Sequence, residues 1–237
     1  MESERKKLKI SHSNDHQSVN DFEDSSGSPD LGAFATSFLD IEDKQCGALL
    51  QLDYGMNICY VYNPLDYARE IHRDFLAKFC KGPKKVLLLG MNPGPWGMGQ
   101  TGVPFGHVQY AKDWLRVKGS VTKPENEHPK RLITGLECRR SEVKERSGLE
   151  AICNAALVDT VKLLGIEHLV CVGNYTTEKS KLALERAGLE SIKISTLMHP
   201  SPVNPAANKG WREIAIRQLT ESGVIHYFKA PEKSSWN

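Results

Sequence analysis

The chain has 237 residues, 40% of them hydrophobic, so it can bury a sizeable core as one large domain or two small ones. The formal net charge is only +2, so overall charge does not mark the chain as a nucleic-acid binder. No apolar run is long enough to span a bilayer and the N-terminus has no apolar signal segment, so we expect a soluble, intracellular protein without a membrane partner.

Six cysteines are scattered along the sequence without any C-x-x-C pair. Zinc and iron–sulfur sites need clustered ligands, so we expect free thiols, no metal and no cofactor. Residues 1–30 are polar and charged, and they predict a disordered tail. Within it the basic run at residues 5–9 fits a nuclear address or a phosphate-binding arm, although a solvated tail is the interpretation that we favour.

Apolar spacing predicts a helix within residues 31–54 and a short strand over residues 58–62. Asn63 followed by Pro64 is typical of a helix start, because Asn caps the first turn and Pro loses no hydrogen bond there. The same spacing continues that helix to Cys80.

Residues 86–89 form a run of four apolar side chains, which predicts a strand buried on both faces of a parallel sheet. The run ends in a loop dense in Gly and Pro, GMNPGPWGMGQTGVPFG, over residues 90–106. Ligands of open α/β sheets bind just beyond the carboxyl ends of the strands, so this loop is a candidate site. An irregular turn without function is the alternative.

Strand and helix patterns alternate through the rest of the chain. The predicted elements are helices over residues 107–117 and 148–164, a strand over 168–173, a helix from a Thr cap at 176 or 177 to 187, a strand over 192–198, a helix ending at 221 and a final strand over 224–228. Only a weak strand candidate, residues 132–134, lies between the first two strands. The alternation predicts an α/β fold with a mostly parallel sheet.

Two of these strands end in unusual loops, one containing Asn92 and the other beginning at His199. In a parallel sheet both strand ends lie at the same edge, so the two side chains are expected to face one cleft. Taken singly, an Asn before Pro is usually a turn residue, and a His after a strand is usually structural. Because both loops have a Pro/Gly framework, we favour a functional site.

The loop GMNPGPWGMGQTGVPFG and the segment HPSPVNPAANKGW resemble the single-strand-selective monofunctional uracil-DNA glycosylases. The stretches NPLDYAREIHRDFLAKFCKGPKKVLLLGMNPGP and EHPKRLITGLECRRSEV are similar to that family as well, and the resemblance covers roughly residues 31–230. It implies a three-layer α/β sandwich in a single domain, residues 31–237. It also implies a nuclear, monomeric DNA-repair enzyme that flips uracil out of single- or double-stranded DNA and cuts the glycosidic bond.

The resemblance also implies a role for each matching residue. Asn92 would position the attacking water, and His199 would stabilise the leaving uracil anion near O2. Phe105 would stack on the flipped base, for which a buried core Phe is the alternative. Main-chain groups from Met91 to Gly94 would approach the base, because Gly has no side chain and Pro fixes the backbone.

The loop over residues 201–210 resembles the family's wedge, which enters the duplex and holds the base extrahelical. The residues expected to contact DNA are Ser201, Asn204, Asn208, Lys209, Gly210 and Trp211. Related members usually have a basic residue where Val203 stands, and this departure would weaken duplex binding.

A larger departure follows the segment LECRRSEV. Several dozen residues of the family are absent there, including an edge strand and a His-Asn pair whose Asn reads the uracil edge. Two hypotheses therefore stay open. One is an active glycosylase for uracil and for oxidised pyrimidines such as 5-hydroxymethyluracil. The other is an impaired variant that retains only DNA binding, since a pocket without its hydrogen-bonding partner loses discrimination. A nucleotide-phosphate binder is a weak third, because no G-x-G-x-x-G or Walker loop is present.

Overall fold

The computed structural model of the chain describes residues 30–56, 58–138, 150–200, 207 and 210–228. In this part of the chain the strands are β1 (Val86–Leu89), β2 (His168–Val172) and β3 (Lys193–Leu197). The helices are α1 (Ala33–Leu50), α2 (Pro64–Tyr67), α3 (Arg69–Phe79), α4 (Met98–Thr101), α5 (Val108–Asp113), α6 (Glu150–Leu164), α7 (Asn174–Arg186) and α8 (Trp211–Glu221), with 3-10 turns at Gly135–Glu137 and Ile225–Phe228.

The three strands form one sheet in the order β1-β2-β3, and both pairs are parallel. Leu89 pairs with Cys171 and Val172 pairs with Leu197, so all three strands end at the same edge. The α/β class and the parallel sheet predicted from the sequence are confirmed. The described strands pair with one another without an additional edge strand beside β1.

Apolar side chains of successive strand residues alternate between two cores on opposite faces of the sheet. One core contains Leu169 and Cys171 and is covered by side chains of α1, α3, α6 and α7. The other contains Val170, Val172 and Leu197 and is covered by α8. The layers are therefore helix, sheet and helix, as the resemblance implies.

Strand β1 corrects one expectation. All four of its residues are only half-buried, whereas β2 is buried from its second residue onward. The four-residue apolar run predicted burial on both faces, but β1 lies at the edge of the described sheet. Its second long side has no strand neighbour among the described residues, so water reaches side chains that a central position would cover.

Four local predictions also differ from the structure. Residues 58–62 are irregular instead of a strand, and Val224–Phe228 contains a 3-10 turn instead of a final strand. The helix expected from Pro64 to Cys80 is divided at Ala68, whose φ of −105° and ψ of 29° are not helical. The weak strand candidate at 132–134 has no strand partner, and its backbone bonds to side chains.

The expected Thr cap of α7 lies elsewhere as well. Gly173 occupies the N-cap position, and the hydroxyls of Thr176 and Thr177 donate backward to the carbonyls of Val172 and Gly173. By contrast, Asn63 caps α2 as predicted, since its Oδ1 accepts from the N–H of Leu65.

Among the described residues, no helix has the length and apolar character needed to cross a membrane. The predicted tail over residues 1–29 and the junction after residue 143, where the family has its additional segment, lie outside the described residues.

Candidate active site at the carboxyl edge of the sheet

Asn92 follows β1 by three residues, and His199 follows β3 by two. Strand β2 lies between the two, so Asn92 and His199 belong to loops that leave the same edge two strand spacings apart, about 10 Å. Both side chains are exposed. The topology therefore brings these two loops to one edge with room for a ligand between them.

Phe105 lies against the end of β1. Its ring atoms Cζ and Cε1 would lie 3.1 and 3.2 Å from a Cβ placed on Gly90, so only a glycine there admits the ring without a shift. Phe105 is 58% exposed and has a φ of +54°, a conformation that a side-chain-bearing residue rarely adopts. An exposed aromatic ring in a strained backbone is unlike a core Phe, and such strain is concentrated at functional sites.

His199 lies over the end of β2 at ordinary contact distance. A Cβ placed on Gly173 would lie 3.6 Å from the Cβ of His199 and 4.0 Å from its Cδ2. The φ of Gly173 is +95°, which in practice requires glycine. Each of the two candidate ring side chains thus packs on a strand-end glycine of the sheet.

The Asn92 side chain bonds locally. Its Nδ2 donates to the carbonyl of Pro93 at 3.0 Å, which fixes the amide plane. No described residue donates to its Oδ1, so that oxygen is available to accept a hydrogen bond from water. An amide held in this way can orient a nucleophile but cannot remove its proton.

The loop around Asn92 is braced by its own backbone. The carbonyl of Gly94 accepts from the N–H groups of Gly97 at 3.1 Å and Gly99 at 2.8 Å. A Cβ on Gly99 would lie 2.8 Å from that carbonyl oxygen, so the close approach depends on glycine. A Cβ on Gly94 would meet nothing within 4 Å, which leaves its outer face open.

Gln100 connects this loop to the segment after α5. Its side chain is fully buried; Nε2 donates to the carbonyls of Pro95 at 3.1 Å and Leu132 at 3.0 Å, and Oε1 accepts from Thr134 at 2.9 Å. Sequence reasoning noted this amide but gave it no role. The sequence did contain a signal for this role. A buried side-chain amide must have hydrogen-bond partners, so a single Gln in a Gly/Pro-rich loop is a candidate to connect the loop to its neighbours.

Two further buried groups hold the far side of the loop. The hydroxyl of Tyr67 donates to the carbonyl of Gly99 at 2.5 Å, and burial raises the pKa of Tyr67 well above its usual value, so the hydroxyl keeps its proton. His72 is fully buried, and its Nδ1 lies 2.8 Å from the carbonyl of Gly102 while its Nε2 lies 2.7 Å from Oε2 of Glu42. The loop is thus anchored to α1, α2 and α3.

Helix α8 holds the backbone immediately before His199. The N–H of Met198 donates to Oε1 of Gln218 at 2.9 Å, and the indole Nε1 of Trp211 donates to the carbonyl of Met198 at 2.7 Å. The ring of Trp211 is partly buried against the core on this face of the sheet, and the DNA contact expected of this residue stays a prediction. Its indole N–H is therefore used internally.

The remaining predicted residues divide into two groups. Met91 is 42% exposed beside Asn92, and Gly210 has a φ of +134° at the start of α8. Four of the expected DNA contacts, Ser201, Asn204, Asn208 and Lys209, lie outside the described residues.

Two surface cavities lie away from the strand ends. They have volumes of about 420 and 370 Å³ and are lined by residues of α1 and α3 and by residues of α7 and β3, and neither includes a residue named above for the site. The described residues contain no group of three or more His, Cys, Asp or Glu side chains placed to hold a metal ion.

No protein-family model matches the chain. The single-strand selective monofunctional uracil-DNA glycosylase of Rattus norvegicus is 38% identical over 246 residues, which covers 83% of this chain and 88% of that protein. The protein of that name from Mus musculus is 38% identical with the same coverage, and the one from Bos taurus is 36% identical over 245 residues, covering 83% of this chain and 90% of the bovine protein.

The alignment with the rat protein is longer than the part of the chain that it covers. Of 237 residues, 83% is about 197, whereas the alignment spans 246 positions. About 49 aligned positions therefore have no residue of this chain opposite them. This number agrees in size with the several dozen family residues that the sequence lacks.

Proposed function

Because the chain belongs to the single-strand selective monofunctional uracil-DNA glycosylases, a family of DNA-repair hydrolases that act on N-glycosyl bonds, we propose that it removes uracil from DNA. The observation that carries this proposal is the pairing of Asn92 and His199 at one sheet edge, with Phe105 beside them. The first product is free uracil and the second is an abasic site.

In this mechanism Asn92 holds the attacking water through its Oδ1, while the bond from Nδ2 to Pro93 keeps the amide from rotating. Positioning of this kind is sufficient when the leaving group departs as a stabilised anion, because the sugar then develops oxocarbenium character unaided. No Lys is needed as a covalent nucleophile, so the enzyme is monofunctional.

His199 supplies the stabilisation of that anion. Its ring is exposed at the strand end, where a preorganised donor toward uracil O2 is worth roughly 3–4 kcal/mol in the transition state. Phe105 offers the flipped base a flat, exposed face, which contributes on the order of 1–3 kcal/mol by stacking. Main-chain groups from Met91 to Gly94 approach the base edge, where the open face of Gly94 leaves space.

We extend the proposal to the substrate and its setting. The partner is uracil-containing DNA, either single- or double-stranded. The loop over residues 201–210 flips the base out of the stack. Oxidised pyrimidines such as 5-hydroxymethyluracil are further substrates. The enzyme works as a monomer in the nucleus. These statements rest on the resemblance in sequence, and the exposed stacking face of Phe105 supports the base-flipping part.

A second candidate function is DNA binding without efficient excision. Two observations favour it: about 49 aligned positions are absent from the chain, and β1 is half-exposed at the edge where the family's additional strand would pair. A site without the segment that carries the uracil-reading Asn offers fewer hydrogen-bond partners to the uracil edge. Such a site discriminates poorly between uracil and cytosine.

An assay on matched oligonucleotides separates the two candidates. We expect abasic product from single- and double-stranded DNA that contains uracil, and none from DNA in which cytosine replaces it. Absence of product at enzyme in excess over DNA would overturn the proposed activity, and retained binding in the same samples would establish the second candidate.

The variant Asn92→Ala tests the mechanism. We expect turnover to be abolished while binding to abasic DNA stays at the wild-type level, because the change removes the water-positioning oxygen and leaves the loop's braces in place. Single-turnover cleavage and a binding titration measure the two quantities. Unchanged cleavage in this variant would show that another group positions the water.

A further inference from the structure

The peptide groups before His199 are held by two side chains from one face of α8. Met198 donates its N–H to Gln218 at 2.9 Å and accepts at its carbonyl from the indole N–H of Trp211 at 2.7 Å. Trp211 and Gln218 are seven residues apart, two helical turns, so they lie on the same face of the helix. Both polar groups of a single residue are thus fixed by a neighbouring helix.

Met198 needs this support because the sheet ends one residue earlier. Leu197 is the last residue of β3, and its carbonyl still accepts from the N–H of Gly173 at 2.8 Å. Beyond it the described residues supply no ladder bond that defines the backbone, and His199 with its imidazole lies only two residues further on. The torsions at Met198 therefore decide where the His199 ring points.

We propose that Gln218 and Trp211 are positioning residues for His199: they fix the Met198 backbone so that the imidazole rests on Gly173 and faces the Asn92 loop. The inference rests on the role of His199 in the proposed function. Displacing a reacting group by about 1 Å costs on the order of 100-fold in rate, so the two bonds act on catalysis without touching the substrate.

The chain offers an informative pair of substitutions at position 218. Gln218→Met keeps the length of the side chain and removes the acceptor oxygen, whereas Gln218→Glu keeps an acceptor oxygen for the Met198 N–H. Trp211→Phe removes the indole donor and keeps an aromatic ring in the core. Arg217→Met is the matched control, because Arg217 is the adjacent residue, is exposed and pairs only with Glu221 among the described residues.

We expect Gln218→Met to lower kcat by on the order of 10- to 100-fold with KM and abasic-DNA binding unchanged. Gln218→Glu should stay within about twofold of wild type, and Arg217→Met should match wild type. Trp211→Phe should lower kcat, and combining it with Gln218→Met should lower it further. Wild-type kcat in Gln218→Met, or equal losses in Gln218→Met and Gln218→Glu, would overturn the inference.

A second measurement is independent of turnover. Hydrogen exchange at the Met198 amide and NMR line shapes of the His199 ring should change in Gln218→Met and stay native in Gln218→Glu. If the wild-type protein has no activity, the proposed function fails and these two signals alone decide the inference. Native exchange and native line shapes in Gln218→Met would then refute it.

Discussion

At Phe105 the backbone and the side chain are both in positions that stability alone would not select. The left-handed φ of +54° costs a residue with a Cβ roughly 1–2 kcal/mol, and more than half of the ring surface faces water. The ring contacts Gly90, and the surrounding turn is fixed by Thr101, whose hydroxyl lies 3.1 Å from the carbonyl of Gly106. The conformation is therefore imposed by the loop and serves to present the ring.

Phe105→Gly should separate stability from activity. Glycine relieves the strain at this φ, so we expect the free energy of unfolding to stay level or rise by about 1 kcal/mol, while uracil excision falls because the stacking face is lost. Arg116→Gly is the matched control, since Arg116 has a φ of +53° and is exposed. Denaturant unfolding and single-turnover cleavage measure the two effects; a loss of stability in Phe105→Gly would mean that the ring is a packing residue.

Residue-level prediction from sequence was most informative where backbone chemistry is restrictive. Asn63 before Pro64, with apolar residues following at helical spacing, predicts a helix start, and its cap on α2 is confirmed. Trp211 shows the limit, because a Trp after a Lys-Gly pair reads equally well as a DNA contact and as a core anchor. Only the fold reveals that its indole meets the carbonyl of Met198.

At the scale of elements, the parallel pairing of β2 and β3 includes a histidine at its amino end. His168 begins β2, and its Nε2 lies 2.9 Å from the hydroxyl of Ser195 on β3. Burial, aided by the nearby Lys193 ammonium, lowers the pKa of His168 below its ordinary value of 6.5. The folded protein therefore prefers the neutral ring.

This preference predicts a pH-dependent stability. A lowered pKa in the folded state contributes stability that is present above about pH 6.5, the pKa of the unfolded state, and that is lost as the pH falls toward the folded-state pKa. We expect the free energy of unfolding to decrease between pH 7.5 and 5.5, and to decrease less in His168→Gln, which keeps an amide partner for Ser195. Urea unfolding at the two pH values measures it; equal slopes in both proteins would refute the assignment.

The prediction of helices and strands succeeded where regularly spaced apolar residues are followed by a terminating glycine, as in α6 and β2. It failed at residues 58–62, where Tyr62 uses its hydroxyl to bond Arg131 and His128 across the loop instead of lining up in a sheet. It also failed at Val224–Phe228, where the backbone continues in a 3-10 turn after Gly223. At residues 58–62 tertiary contacts outweigh β-propensity, which the local pattern cannot show.

At the scale of the whole molecule, α5 and the residue just past its end carry exposed aromatic surface. Helix α5 buries Val108 and Ala111, while its outer face exposes Tyr110 at 64%, followed just past its end by Trp114 at 76%. Two exposed aromatic side chains four residues apart offer a larger apolar surface than a single scattered residue does.

An apolar dye should report this surface. We expect the wild-type protein to enhance the fluorescence of an anilinonaphthalene dye, and a Tyr110→Ser, Trp114→Ser double variant to reduce the enhancement severalfold without lowering Tm. Ile216→Ser, which changes a 42% exposed apolar residue on α8, is the control and should leave the signal unchanged. Equal dye binding by the double variant and the wild type would place the surface elsewhere.

The two glycines that follow β1 and β2, Gly90 and Gly173, differ in the reason why they tolerate few substitutions. Gly173 is constrained by its φ of +95°, because a Cβ there would meet His199 only at ordinary contact distances, so a substitution disturbs the backbone before it disturbs chemistry. Gly90 is constrained by the Phe105 ring alone. A lineage that no longer removed bases would therefore be free to replace Gly90 while it kept Gly173. Substitutions at residue 90 would then be the first sequence change to mark the loss of activity.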